Sequence, residues 1–381
     1  MAKFKVLTVM PGITPDAGAE QSLAAMVPKM LAEGVELHLA LLTKRQSLVP
    51  DLEAQGVIVH DLSSHTTTLA RARALRTVIA AVSPAVVHAT LFEATMPARL
   101  AVVRTSTPML VTWASTLYSE ELTRPGGPNR AKLRMVQAAD LVVGRLAHAQ
   151  YHAVTSGVGR VNARSLRVDA RRVHVGERGR DADAFARTDP TGAALRAELG
   201  LAADAPLVLG VGRHERQKGY ETLLEAFDVA AAHHPDARLL IAGRSGGATA
   251  DLERQIASMA HGHRVMMLGQ RDDISDLLSA AAVVVCSSWR EGAAGALIEA
   301  MACATPILSV ELAGLEDVLV DGHNARVVPR ERLGEGLDEM LAEPDMAHRL
   351  AAAGRATFLD RFTIDRASQR MVEIYRAVAA A

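Results

Sequence analysis

Aromatic side chains are scarce in this chain, with phenylalanine, tryptophan and tyrosine making up only 3% of 381 residues. So few rings cannot build an extended stacking platform for bases or glycans. Charge of one sign is also missing: the formal net charge is -1 and the pI is near 6.9. Nothing therefore draws the chain as a whole to nucleic acid, and no nucleic-acid partner is expected. Cysteine occurs twice, as Cys286 and Cys303, in apolar surroundings and without metal-ligand spacing. That usage points to a reducing compartment and buried, unreactive thiols. No apolar run approaches the ~18 residues of a membrane span, and the short run in residues 1–11 reads as a strand, not a signal peptide. The expected location is cytoplasmic, with at most peripheral contact at the inner membrane face.

Apolar residues are plentiful at 49%, and the length exceeds what one core usually supports, so two domains are expected. Short apolar runs alternate with amphipathic segments twice over. The first set of runs is 5–10, 37–42, 57–60, 85–88 and 109–113. The second is 207–211, 238–242, 265–268, 283–286, 306–310 and 325–328. Helical patterns such as 21–33, 67–82 and 221–234 lie between them. This is the signature of α/β architecture with parallel sheets covered on both faces. The expected fold is two doubly wound Rossmann-like domains facing across a cleft, with ligands at the carboxyl ends of the strands. Asp189-Pro190-Thr191-Gly192 breaks the pattern and marks the boundary within 181–204. The division is 1–185, 186–362, and an amphipathic helical tail over 363–381. No internal repeat is visible.

The segment from Trp289 to Cys303 carries two carboxylates, Glu291 and Glu299, eight residues apart, with Gly292, Ala293, Ala294, Gly295 and Ala296 between them. Small residues leave the backbone uncovered, so the first N–H groups of the following helix can face a phosphate, which the helix dipole also favours. A carboxylate accepts two hydrogen bonds side by side and suits vicinal hydroxyls, one pair on a hexose and the other on a ribose. Cations for a diphosphate must come from elsewhere. Gly212-Arg213 and Lys218-Gly219, after the apolar run 207–211, supply them.

Several motifs occur in a fixed order: Gly212-Arg213 with Lys218-Gly219, Ile241-Ala242-Gly243, Leu268-Gly269, the Glu291 to Glu299 box, Ala304-Thr305-Pro306-Ile307, and Gly314-Leu315-Glu316 before Val320-Asp321-Gly322. In this arrangement residues 207–328 resemble the carboxyl-terminal domain of the retaining, two-domain (GT-B) glycosyltransferases of family 4. The resemblance implies that Arg213 and Lys218 bind the diphosphate, Glu299 the nucleotide ribose and Glu291 the donor sugar. It places Gly18 near the diphosphate and acceptor, puts Gly212, Gly243 and the box residues in the nucleotide-sugar site, and assigns the base to main-chain contacts around Gln270, Arg271 and Asp272. It further implies a metal-independent, cofactor-free transfer of a hexosyl unit from a UDP- or GDP-type donor to a hydroxyl acceptor, and a final helix that crosses back onto the first domain. Cell-surface glycan assembly and natural-product glycosylation both fit.

Two segments depart from the family pattern. Val111-Thr112-Trp113-Ala114 has Ala114 where many members place a histidine, which leaves Trp113 as a candidate acceptor-side residue. Gly176-Glu177-Arg178-Gly179-Arg180-Asp181 stands where Pro-Asn-Gly-Val-Asp is common, adding Arg178 and Arg180 near an expected hinge at 179–192. Pairing of these arginines with Glu177, Asp181 and Asp183 is the favoured reading; contact with a phosphate or an anionic acceptor is the other. These departures leave a non-catalytic sugar-nucleotide-binding subunit as one alternative. A GT-B epimerase or phosphorylase is another.

Other patterns carry less. Gly210-Val211-Gly212 lacks the third glycine of a dinucleotide fingerprint, because Glu215 stands there. His233-His234 and His261-Gly262-His263 have no carboxylate-histidine spacing for a metal, and Ser156 and Ser245 have no nucleophilic pattern around them. Arg160, Arg164, Arg167, Arg171 and Arg172 recur at spacings of three and four, so much of the set is expected on one solvated helix face.

Overall fold

The computed structural model describes residues 4–14, 18–118, 129–186, 189, 192–292 and 294–381. The candidate site residue Ala293, and Pro190 and Thr191 of the expected boundary, lie outside the described residues. The chain forms two compact units, Met1–Gly179 together with Ile364–Ala381, and Arg180–Thr363.

The first unit is built on β1 Phe4–Met10, β2 Val35–Leu41, β3 Ile58–Asp61, β4 Val86–Ala89, β5 Met109–Trp113, β6 Gln150–Ala153 and β7 Val173–Val175, ordered β3-β2-β1-β4-β5-β6-β7. The second is built on β8 Leu207–Val211, β9 Arg238–Ala242, β10 Val265–Gly269, β11 Val283–Cys286, β12 Ile307–Val310 and β13 Arg326–Val328, ordered β10-β9-β8-β11-β12-β13. All pairings between these strands are parallel, with Val6 opposite Leu37 and Val86 in one sheet and Leu209 opposite Leu240 and Val284 in the other. Parallel strands covered by helices on both faces are buried throughout, which is why every residue of β5 and β11 is buried and β11 reads as an unbroken apolar run. In each sheet the strand order reverses once, between β1 and β4 and between β8 and β11. A crevice forms at such a point beyond the carboxyl ends of the strands.

The strands β6 and β7 were not expected from the sequence. They are four and three residues long, QYHA and VHV, with a polar residue breaking each run. Helix starts follow their side chains more closely. Thr67 accepts from Ala70 N at 3.2 Å ahead of the helix Thr68–Val82, and Thr155 accepts from Val158 N at 3.1 Å ahead of Ser156–Leu166. Each such cap contributes about 1 kcal/mol. The second of these helices corrects the reading of the arginine run. Arg167 turns left-handed at φ 49°, ending the helix, and Asp169 caps a separate short turn, Ala170–Arg172, through Arg171 N at 2.9 Å. Arg160 and Arg164 share a helix; Arg171 and Arg172 do not belong to it.

The C-terminal helix Ile364–Ala379 buries Met371, Val372, Ile374, Tyr375 and Val378 in the core of the first unit, in a cluster with Met26 and Met30 of the helix Gly18–Ala32. A polar chain crosses the same core. The Tyr375 hydroxyl lies 2.8 Å from His88 Nδ1, His88 Nε2 is 2.6 Å from Thr112 Oγ1, Thr112 Oγ1 is 3.0 Å from His152 Nδ1, and His152 Nε2 is 2.7 Å from the Gly176 carbonyl oxygen. That carbonyl can only accept and, with both imidazoles kept neutral by burial, it orients the whole chain. His152 donates to it from Nε2, Thr112 donates to His152 Nδ1, His88 donates from Nε2 to Thr112, and Tyr375 donates to His88 Nδ1. Burial, reinforced by the neighbouring imidazole of His152, pushes His88 down to about 3, and burial pushes His152 down to about 4.

Candidate active site

Two loops leave the switch point of the second sheet, one after β8 and one after β11, and the main chain of each presses on the other. Gly219, at φ +61°, has space for no side chain, since a Cβ there would lie 2.2 Å from the Ser287 carbonyl oxygen. Gly243, after β9, is equally constrained: a Cβ would meet the Gly212 oxygen at 1.9 Å. Side chains then stitch the loops together. Trp289 N donates to the Gln217 carbonyl at 2.8 Å, and Gln217 Nε2 donates to the Arg290 carbonyl at 3.0 Å. Arg330 lies 3.6 Å from the centre of the Trp289 ring and donates to the Ser287 and Ser288 carbonyls at 2.6 and 2.5 Å.

This framework brings Lys218 to Glu291. Lys218 Nζ donates to Glu291 Oε1 at 2.7 Å, and Ser288 Oγ donates to the same oxygen at 2.6 Å. Burial works against the ammonium charge, but attraction to Glu291 and the hydrogen bond donated to it outweigh that, so the pKa of Lys218 is raised. Beneath the pair, Tyr220 donates its hydroxyl to the Gly212 carbonyl at 2.9 Å, and burial raises its pKa well above the usual value, so it stays a neutral donor. Burial likewise raises Cys286, with the nearby Glu291 adding to it, so this residue is a thiol and not a thiolate. Lys218, Tyr220, Ser288, Glu291 and Gly295 border a cavity of about 30 Å³, large enough for a water molecule.

The helix Gly295–Ala302 begins beside this pair. Ala294 precedes it in a left-handed conformation at φ 46°, and no side chain caps it. Its first N–H groups and the dipole behind them favour an anion. Glu299 lies in the second turn, where its Oε1 accepts from Arg180 Nε at 2.7 Å. Arg180 was expected to pair within its own segment. It reaches Glu299 across 119 residues, and Asp181 accepts from the Asp183 N–H at 2.9 Å.

The remaining candidates take varied places. Arg213 stands on the β8 loop, 57% exposed and 3.9 Å from Glu215, and is available to a ligand arriving from solvent. Arg271, next to the exposed Gln270 after β10, is held by Asp273 at 2.6 and 2.8 Å and by Glu198 at 2.7 Å, and these hydrogen bonds raise its pKa. In the first unit, Gly18 opens its helix with an Arg178 Nη1 4.0 Å from where a Cβ would stand. Trp113 ends β5, is 1% exposed, and stacks on Tyr151 with ring centres 4.2 Å apart. It borders a cavity of about 200 Å³ together with Thr112 and the buried ion pair of Arg99 and Asp140. His233 and His234 both turn to Asp338 Oδ1, at 3.1 and 3.0 Å. Among the described residues no cluster of three His, Cys, Asp or Glu side chains could hold a metal ion, and no helix is long and apolar enough to cross a membrane.

Sequence reading missed Tyr220, Ser288 and Arg330. Tyr220 and Ser288 sit beside recognised motif residues and could have been found by adjacency. Arg330 carries no local signal, since it reaches the site from 43 residues beyond Ser287.

Two Rossmann-like units with their anion-ready helix at a switch point define a GT-B glycosyltransferase fold. The solved Anabaena HepE in complex with UDP and glucose superposes with a TM-score of 0.81 over 98% of this chain and 100% of that one, at 19% identity, a likeness of fold. Residues 193–357 match the family model of the glycosyl transferases group 1, so this domain is similar to that family. The alpha-maltose-1-phosphate synthase of Mycolicibacterium smegmatis is 31% identical over 64% of this chain and 65% of its own length. The D-inositol 3-phosphate glycosyltransferase of Xylanimonas cellulosilytica is 33% identical over 54% and 52% respectively. The chain thus spans between about half and two thirds of the curated relatives it matches.

Proposed function

We propose that the protein is a retaining, metal-independent glycosyltransferase of family 4 that moves a hexosyl unit from a nucleoside-diphosphate sugar to a hydroxyl acceptor. The observation that carries this reading is the Lys218–Glu291 pair at the mouth of the uncapped helix Gly295–Ala302, with Glu299 one turn further on. Departure of the nucleoside diphosphate leaves negative charge on the β-phosphate and positive character on the sugar. Lys218, Arg213 and the helix end would stabilise the first charge, and the carboxylate of Glu291 the second. Glu291 would also hold the sugar hydroxyls and Glu299 the ribose. Cationic side chains already serve the leaving charge, so the reaction has no need of a metal. Retention would follow from attack by the acceptor on the face that the diphosphate leaves.

HepE's complex with UDP and glucose supports a uridine donor. The names of relatives in lipopolysaccharide core biosynthesis and kanosamine transfer support cell-surface glycan or natural-product assembly as the setting. The buried free thiols of Cys286 and Cys303 suit a reducing, cytoplasmic compartment.

The test is a thermal-shift screen against uridine, guanosine, adenosine and thymidine diphosphates and their sugars, followed by product analysis with and without a chelator. Ligand at about a hundred times its dissociation constant should stabilise the binding state by about 2.7 kcal/mol. Turnover that releases nucleoside diphosphate and survives the chelator supports the proposal. An isomerised donor sugar with no diphosphate released would instead identify an epimerase, and a dependence on phosphate a phosphorylase.

A further inference from the structure

Arg180 lies across the part of the second unit that a donor would enter. Its Nε is 2.7 Å from Glu299 Oε1, and its side chain and that of Glu299 are 12% and 16% exposed. A Cβ on Gly295, the first residue of the helix, would stand 2.6 Å from Arg180 Nη2. The guanidinium therefore rests against the N-terminus of the helix Gly295–Ala302, the end whose dipole favours anions and disfavours cations. Glu299 offsets that mismatch.

We propose that Arg180 is a specificity-determining residue of the donor site that makes the protein prefer a nucleoside diphosphate over the bare nucleoside. The inference rests on the donor-site reading above. In the free protein Arg180 occupies the carboxylate meant for the ribose. A nucleoside must displace it from Glu299 and offers nothing in return. A diphosphate brings an anion to the helix end, where the displaced guanidinium can turn and donate two parallel hydrogen bonds to phosphate oxygens. The ribose hydroxyls then take Glu299, and the cation at the helix end acquires the counter-charge that the dipole already favours.

The experiment is calorimetric titration of the full chain with UDP and uridine, and in parallel GDP and guanosine, for wild type, Arg180→Ala and Arg180→Lys. Thermal melts establish that each variant is folded. The Arg180→Ala protein should bind the diphosphate about tenfold more weakly while binding the nucleoside as well as wild type or better, so that the affinity ratio collapses. Arg180→Lys keeps the charge without the fork and should fall between, which tests the idea even if the alanine variant does not fold. An unchanged ratio in both variants, or equal tightening of both ligands, would overturn the role given to Arg180 while leaving the donor site standing. A wild-type protein that binds no nucleotide of any base would overturn both.

Discussion

Lys218 and Glu291 neutralise each other in the ligand-free protein, and the fate of one on mutation depends on the other. Replacing Glu291 with alanine leaves a largely buried ammonium facing Ser288 and Tyr220 without its carboxylate, so the pair cannot be read as two independent residues. The expected outcome for Glu291→Ala is loss of transfer by at least about a hundredfold, the scale of one lost electrostatic stabiliser, with nucleotide binding largely kept. A Glu291→Ala enzyme of full activity would sink the assignment. Lys218→Ala should lower kcat more than it raises KM if the ammonium acts on leaving-group charge. Steady-state kinetics on both variants, with titration of the nucleoside diphosphate alongside, checks the two statements together. Glu299→Ala should behave differently and weaken binding of the nucleotide itself.

At the scale of the element, β4, β5, β6 and the C-terminal helix are tied by the hydrogen-bond chain from Tyr375 through His88, Thr112 and His152 to Gly176. Both histidines have folded-state values below the ordinary 6.5, at about 3 and about 4. Their contribution to stability is then fully present above pH 6.5 and is lost as the pH falls, because the unfolded chain takes up protons that the folded chain refuses. Each histidine should cost about 1.4 kcal/mol per pH unit once the pH is well under 6.5. Between pH 6.5 and 5 most carboxylates remain ionised, so histidines dominate this window; burial also lowers His60, His174 and His214, and the comparison with the double variant separates His88 and His152 from them. Chemical denaturation at half-unit steps should show falling stability there, and the double variant His88→Gln, His152→Gln should show a flatter slope. An equal slope in wild type and variant would refute the buried-histidine account.

At the scale of the molecule, the first unit takes its residues from both ends of the chain, with Arg180–Thr363 inserted between them. Its C-terminal helix contributes Met371, Val372, Ile374, Tyr375 and Val378 to a core started by the first thirty residues. Burial of such a side chain is worth about 1.5–3 kcal/mol, so losing five removes an amount comparable to the whole stability of a domain, roughly 5–15 kcal/mol. Truncation after residue 363 should leave the first unit unfolded while the second, which keeps every residue of its own core cluster, still melts cooperatively. Limited proteolysis with mass spectrometry reads this directly: a protected fragment within 180–363 is expected, and protection of the first unit in the truncated protein would contradict it.

Much of the architecture was legible from residues alone. The runs 109–113, 207–211, 238–242 and 283–286 match β5, β8, β9 and β11 in both bounds, because a parallel strand buried on both faces is apolar along most of its length. The Glu291 to Glu299 spacing and the small residues between them were equally plain, since uncovered backbone at a helix start is a local property. The strands β6 and β7 were hidden because His152 and His174 interrupt them, and His152 is acceptable in a core only where Thr112 and the Gly176 carbonyl meet its two nitrogens. The partners of the charged groups were decided by tertiary structure. Lys218 lies 73 residues from Glu291 and Arg180 lies 119 from Glu299. Local sequence sets which charges are present, but tertiary structure sets which of them meet, and here it brings Arg180 to Glu299.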